Sequence, residues 1–221
     1  MPNLALPNIL SRTEKLQLGD DYQQICLNEQ LRTAITLCKL ATGVYDPTTG
    51  IMGETWTRKS SYAIRGNYSL QDVAMGAGMF QLRESGESLA TYALGDVFFL
   101  IPEENYLSDL GGDIILNDVI LELRYKTGGV NVTNGSTTVT GLGTVWTKNA
   151  GKGNWLRVNY ESTYYELART PTSNTSLTLV SAYGGVSKTG KEYEIYTEYM
   201  VMLAQKDPTG LLRRIHCRRI S

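Results

Sequence analysis

Apolar residues in this chain come in short runs, and Gly, Pro, Asn or Asp closes nearly every one. That punctuation limits the fold more than any other feature, because a helix needs apolar positions recurring at three and four residues over ten or more positions. Only the stretches around Asp21–Leu31 and Ser69–Met75 offer a weak form of that period. Strand patterns are frequent by contrast. "AITLCKLA" (34–41), "SYAIRGNY" (61–68), "DVFFLIP" (96–102) and "EYMVMLAQ" (198–205) suit buried or half-buried strands. "DIILNDVILELRYK" (113–126) reads as a hairpin turning at Asn117-Asp118 between two aliphatic runs. The chain is therefore expected to be mainly β.

Composition shifts near Gly128. From Gly129 to about Tyr196 the chain is dense in Gly, Thr, Ser, Asn and Tyr, and Asn134-Gly135 lies between alternating Val/Thr runs as a strong hairpin turn. After Tyr196 the aliphatic style of the first part resumes. Extra length in a strand-to-strand loop costs little, so the pattern predicts a small β-barrel or sandwich domain with an inserted second small β domain. The expected division is an N-terminal arm over 1–32, a barrel over 33–128 plus 197–221, and an inserted module over 129–196.

With 42% apolar and 19% charged residues the chain can bury a core, and its net charge of −1 gives no global case for nucleic-acid binding. No apolar run is long enough to span a membrane as a helix. The opening "MPNLALPNIL" lacks a signal peptide's basic start and long apolar run, so synthesis in the cytoplasm is expected. Charge is uneven locally. Glu103, Glu104, Asp109, Asp113, Asp118 and Glu122 form an acidic stretch, while Arg213, Arg214, Arg218 and Arg219 crowd the end. Cys26, Cys38 and Cys217 are too scattered for a zinc knuckle. They read as small buried residues, with a Cys26–Cys38 bond or a bond to another copy as the alternative.

Catalytic patterns fail on inspection. "GVSKTGKE" (185–192) places Gly185, Gly190 and Lys191 on the fixed positions of a phosphate-binding loop. Glu192 stands where Ser or Thr would hold Mg²⁺, and alternating, strand-like sequence follows where a helix is required. A Gly-rich turn between strands explains the residues better. His216 is the sole histidine and alternates with Ile215 and Cys217 in a terminal strand, so a structural or solvent-facing role outweighs a base or ligand. Glu103 and Glu104, which would face opposite sides of a strand, read as a solvated loop after Pro102. No enzyme, cofactor or metal site is expected. Trp146 and Trp155 either fill a small core or, with the module's Tyr, Ser, Gly and Asn, form a binding face.

Residues 36–73 carry a strand, a G-x-Y-D-P-x-T-G turn at Gly43, Tyr45, Asp46, Pro47, Thr49 and Gly50, and a second strand leading to a Y-x-x-x-G segment at Tyr62–Gly66. Asp-Pro followed by Gly is a tight-turn recipe, since Pro fixes φ and Gly permits positive φ. With "LGDVFFLIPEENY", "GGDIILNDVILELRYK" and the closing "YMVMLAQKDPTGLLRRIHCRRI", this resembles bacteriophage head-completion (stopper) proteins over about residues 33–126 and 198–220. Val119 departs from the glycine usual there. The module's "VTNGSTTVTGLGTVW", "NTSLTL" and "YGGVSKTGKEYEI" are similar to small β domains repeated in phage virion proteins.

The resemblance implies a homo-oligomeric ring, a hexamer, at the neck of the virion. It would bind the portal or adaptor on one side and the tail terminator or tail proteins on the other, and retain packaged DNA in its channel. On this reading Glu103, Glu104, Asp109, Asp113 and Asp118 either face the channel and let DNA slide or form a solvated rim. Arg213, Arg214, Arg218 and Arg219 either grip a neighbour or DNA or form an ordinary exposed strand face. The alternatives are a tail, collar or baseplate protein, or a host-surface carbohydrate-binding adhesin.

Overall fold

A computed structural model describes residues 32–46, 51–67, 96–206 and 210–220, with side chains throughout except at 40–46 and 51–56. Two long strands come first, β1 (Arg32–Asp46) and β2 (Ile51–Asn67). They are followed by β3 (Val97–Pro102), the short helix α1 (Glu103–Ser108) and β4 (Val119–Tyr125). Next come β5 (Gly129–Val132), β6 (Thr138–Leu142), the single turn of helix α2 (Trp146–Asn149), β7 (Trp155–Val158) and β8 (Tyr164–Glu166). β9 (Ser176–Thr178), β10 (Lys188–Lys191), β11 (Tyr193–Lys206) and β12 (Leu212–Arg219) complete the described elements. The two weakly helical stretches of the sequence, around 21–31 and 69–75, lie outside the described residues, as does the arm expected over 1–32 apart from Arg32, which opens β1.

The protein is mainly β and contains a closed six-strand antiparallel barrel with extra strands. Around the barrel the order is β12-β3-β2-β1-β4-β11, and a β12–β11 pairing closes it. β4 meets β1 through Ile35↔Glu122 to Cys38↔Val119, and β3 meets β2 through Ile64↔Leu100 to Asn67↔Val97. Toward residues 47–50, which lie outside the described residues, β1 and β2 run on past these registers.

The residues group into two compact units. One holds 1–34, 59–117 and 201–217; the other holds 35–58, 118–200 and 218–221. In the first unit, β3 lies between β2 and β12, and Val97, Phe99 and Ile101 are buried with Leu212 and Ile215. In the second unit, a separate core runs from Val130 to Ile195 and includes Val139, Trp146, Leu156 and Leu177. β10, β5, β6 and β9 cover one side of that core in a four-strand sheet, and β7 with β8 extends the sheet of β11. Val180 N–H donates to the Glu166 carbonyl and Ala168 N–H to the Thr178 carbonyl, joining the β8 end to the β9 end.

The turn chemistry read from sequence appears in place at Asn134-Gly135. Gly135 has φ +78°, Ser136 N–H donates to the Thr133 carbonyl across the turn, and β5 and β6 pair antiparallel on either side. Asn134 keeps a negative φ. Its side-chain amide donates to the Gly184 and Gly185 carbonyls instead, pinning the turn to the Gly-rich segment.

The "DIILNDVILELRYK" hairpin is corrected: only its second half is a strand. Gly111, Gly112 and Asn117 all have positive φ, which turns the backbone out of the extended form at both ends of the 113–116 stretch. Ile114 N–H donates to the Tyr106 hydroxyl at 3.3 Å rather than to a strand, and Asn117 N–H goes to the Val201 carbonyl. Ile115 and Leu116 are consequently exposed. A second correction concerns Glu103 and Glu104, which open helix α1 rather than a loop. Pro102 supplies the N-cap, and two carboxylates in the first turn suit the positive end of the helix dipole.

Trp146 anchors the module core. It is fully buried, its indole N–H donates to the Tyr193 hydroxyl at 3.0 Å, and that hydroxyl donates onward to the Thr127 carbonyl at 2.7 Å. Gly141 makes room for it, because a Cβ there would sit 2.6 Å from the indole ring. Trp146→Ala is expected to cost about 3–5 kcal/mol and Gly141→Ala about 1–3 kcal/mol, both read from urea denaturation of the full chain.

Candidate interaction surfaces

The acidic stretch does not form one charged surface. Glu103 accepts a fork from Arg213, Nε to Oε2 at 3.1 Å and Nη2 to Oε1 at 2.8 Å, with Lys206 Nζ 3.2 Å from Oε1. Burial by itself would raise the Glu103 carboxyl, but the hydrogen bonds from Arg213 and Lys206 outweigh it and hold the group below the usual range. Asp109 accepts from Ser61 at 2.8 Å, Asn105 at 3.1 Å and Ser108 at 2.8 Å. Those bonds override burial and lower it too. Asp118 is buried 3.7 Å from Lys39 Nζ, and Glu122 is buried and accepts from the Tyr199 hydroxyl at 3.0 Å. Glu104 and Asp113 are exposed and engaged in contacts of their own.

The terminal arginines are sorted just as sharply. Arg213 is held by Glu103 and also lies over the Tyr106 ring at 4.3 Å. Arg214 lies over Phe98 at 4.9 Å, and Arg218 is half-buried and engaged. Of the four, Arg219 is exposed. The turn motif spans the β1–β2 connection: Gly43, Tyr45 and Asp46 lie on the β1 backbone, while Pro47, Thr49 and Gly50 lie outside the described residues.

The module's aromatics divide between core and surface. Trp146, Tyr165, Tyr183 and Tyr193 are buried in the core, so the core reading holds for Trp146. Trp155 is half-buried and donates its indole N–H to Glu198 at 2.8 Å. Beside it runs a band of alternating rings and guanidinium groups. Arg58 lies 4.6 Å over Tyr164, Tyr164 lies 5.6 Å from Tyr196, and Arg157 lies 5.6 Å from Tyr160. Arg157 also pairs with Glu194 at 3.4 Å. Burial raises Glu198, the Trp155 hydrogen bond opposes that, and Glu166 adds to the rise. Trp, Tyr and Arg are the residues that anchor protein interfaces, and no spacing in the sequence brings Arg58 to this band.

An open cleft of about 520 Å³ is lined by Glu161, Ser162, Thr163, Tyr165, Ala182, Gly184 and Gly185. Its carboxylate and phenol already serve the protein itself. Glu161 accepts from Tyr183 at 3.0 Å and pairs with Lys188, and the Tyr165 hydroxyl accepts Gly184 N–H at 3.2 Å. In the phosphate-loop look-alike, Gly190 and Lys191 belong to strand β10, not to a turn before a helix. Gly190 N–H donates to Asn131 Oδ1 at 2.8 Å.

Among the described residues no cluster of three or more His, Cys, Asp or Glu is placed to hold a metal ion. No helix among them is long and apolar enough to cross a membrane. Cys38 and Cys217 are buried free thiols, and Cys26 lies outside the described residues. Burial pushes the Cys38 thiol up to about 11, against the opposing effect of Arg58.

His216 is buried in β12, with its Nε2 3.0 Å from the Gln205 amide, and burial pulls it down to about 4. An unfolded histidine titrates near 6.5. Between the two values the unfolded chain takes up a proton that the folded chain refuses. The contribution of neutral His216 is therefore complete above about pH 6.5 and lost as pH falls toward about 4, by up to about 3 kcal/mol. Urea midpoints from pH 7 to 4 should fall for the native chain and flatten in His216→Gln. No family model matches the chain, and no curated protein matches its sequence.

Proposed function

We propose that this chain is a structural protein of a tailed-bacteriophage virion, of the stopper type, working as a ring subunit in the neck between portal or adaptor and tail. The observation that carries the reading is the closed six-strand antiparallel barrel. The segments bearing the stopper-like motifs supply its strands: β1 and β2 on either side of the Asp-Pro motif, β3 from "VFFLIP", β4 from "VILELRY", and β11 with β12 after the module. The work of such a protein is assembly rather than turnover. Heterologous contacts between identical copies close into a ring, and one end of the ring offers a surface to the tail.

Two further features favour assembly. β1 and β2 are 15 and 17 residues long and continue beyond the registers they share with β4 and β3. A two-strand ribbon is marginal alone and readily pairs with a neighbour. The Tyr/Trp/Arg band beside β7 and β8 has the composition of an interface core.

Mass photometry and negative-stain imaging of the full chain, alone and with purified portal or tail complexes, should reveal a closed ring of identical subunits. A chain that stays monomeric with both complexes and binds host glycans by itself would overturn the proposal in favour of an adhesin.

A further inference from the structure

Between Glu122 and Glu161 the sequence contains no Asp or Glu. Arg124, Lys126, Lys148, Lys152 and Arg157 all fall in that run, so any cation the fold leaves at the surface there has no local counter-charge. Arg157 finds Glu194. The others do not: Arg124, Lys148 and Lys152 are exposed, and among the described residues none of them has an ion pair.

The fold gathers these charges around the loop that follows β6. Arg124 Nε donates to the Asn149 carbonyl at 3.1 Å, which fixes the β4 arginine against α2. Lys148 and Lys152 flank Asn149 and Gly151. Arg219, from the far end of the chain, reaches the same loop: its Nη2 lies 3.9 Å from where a Gly151 Cβ would be, and it too is exposed and without an ion pair among the described residues. Four cations without an ion pair among the described residues thus lie at one loop, in a chain whose net charge is −1.

The loop's other groups indicate what kind of anion fits. The backbone donors of its 151–153 tip are already used, Gly151 N–H on Asn154 Oδ1, Lys152 N–H on Thr170 Oγ1 and Gly153 N–H on the Leu167 carbonyl. At that tip no preformed cradle remains for a single small anion, and what projects is charge on long side chains. That is the chemistry of sequence-indifferent contact with a phosphate backbone. Binding of unpaired strands relies on exposed rings for base stacking, and the loop's own aromatic, Trp146, is fully buried.

We propose that Arg124, Lys148, Lys152 and Arg219 form a contact surface for the phosphate backbone of duplex nucleic acid. It is argued from this loop alone and does not depend on ring assembly.

Fluorescence anisotropy of the full chain with a labelled random-sequence DNA duplex of about 20 base pairs, titrated across salt, tests it. Four phosphate contacts give a log K against log salt slope of about −3.6, and each cation removed takes about 0.9 off it. Lys148→Glu with Lys152→Glu should flatten the slope by about 2 and weaken binding at least about tenfold at low salt. Arg219→Gln should flatten it by about 1. Lys191→Glu, a charge reversal on exposed β10, should leave it unchanged. Thermal melts confirm folding of each variant, and mass photometry of each records assembly separately from DNA binding.

The proposal is overturned if the double variant keeps the native slope and affinity. It is equally overturned if Lys191→Glu weakens binding as much, which would mean net charge alone acts. Tighter binding of polyglutamate or of single-stranded DNA than of the duplex would point to an acidic protein surface or a stacking site instead, and would also sink it.

Discussion

Strand β11 is the constraint on which the other elements depend. Its residues 195–200 pair antiparallel with β4, and residues 193–196 pair with β7 on the other edge. The register shifts between Ile195 and Tyr196, where the strand takes on both partners. Such an irregularity adds local twist and re-aims the side chains beyond it. Tyr193 and Ile195 enter the core around Trp146, whereas Tyr196 packs with Cys38 and Leu121. One continuous strand therefore serves both the barrel closure and the module core.

The same strand explains how buried polar groups are tolerated. Thr197 is buried yet accepts from the Asn154 side chain, the Tyr199 hydroxyl donates to buried Glu122, and the Tyr193 hydroxyl bridges Trp146 and Thr127. No buried side-chain nitrogen or oxygen among the described residues lacks a hydrogen-bond partner. Burying such a group unpaired costs on the order of 1–3 kcal/mol, so this satisfaction matters as much as the apolar packing. It also assigns many of the chain's carboxylates to internal duty, which leaves the surface charge pattern very different from the linear one.

Much of the architecture could be read from local pattern, because alternation and turn residues act over a few positions. The β class and the Asn134-Gly135 turn are of that kind. The reading failed at "DIILND", where aliphatic residues suggested a strand. Positive φ at Gly111, Gly112 and Asn117 was the missing element, together with Tyr106 and Val201 taking the hydrogen bonds a partner strand would have used. Val201 lies far outside any local window.

The sequence by itself determined that this chain is a turn-punctuated β protein with a compositionally distinct middle, since propensity and period are local properties. It also carried an acid-free run from 123 to 160. Only the tertiary structure decided which charges are spent and which are left over. Arg213 and Arg219 are six positions apart in one arginine-rich tail, yet one is locked on Glu103 and the other stands exposed beside Gly151. Coulomb energy depends on distance and burial rather than on sequence separation, so the Glu103–Arg213 pair and the basic loop both had to wait for the strands to be set in register.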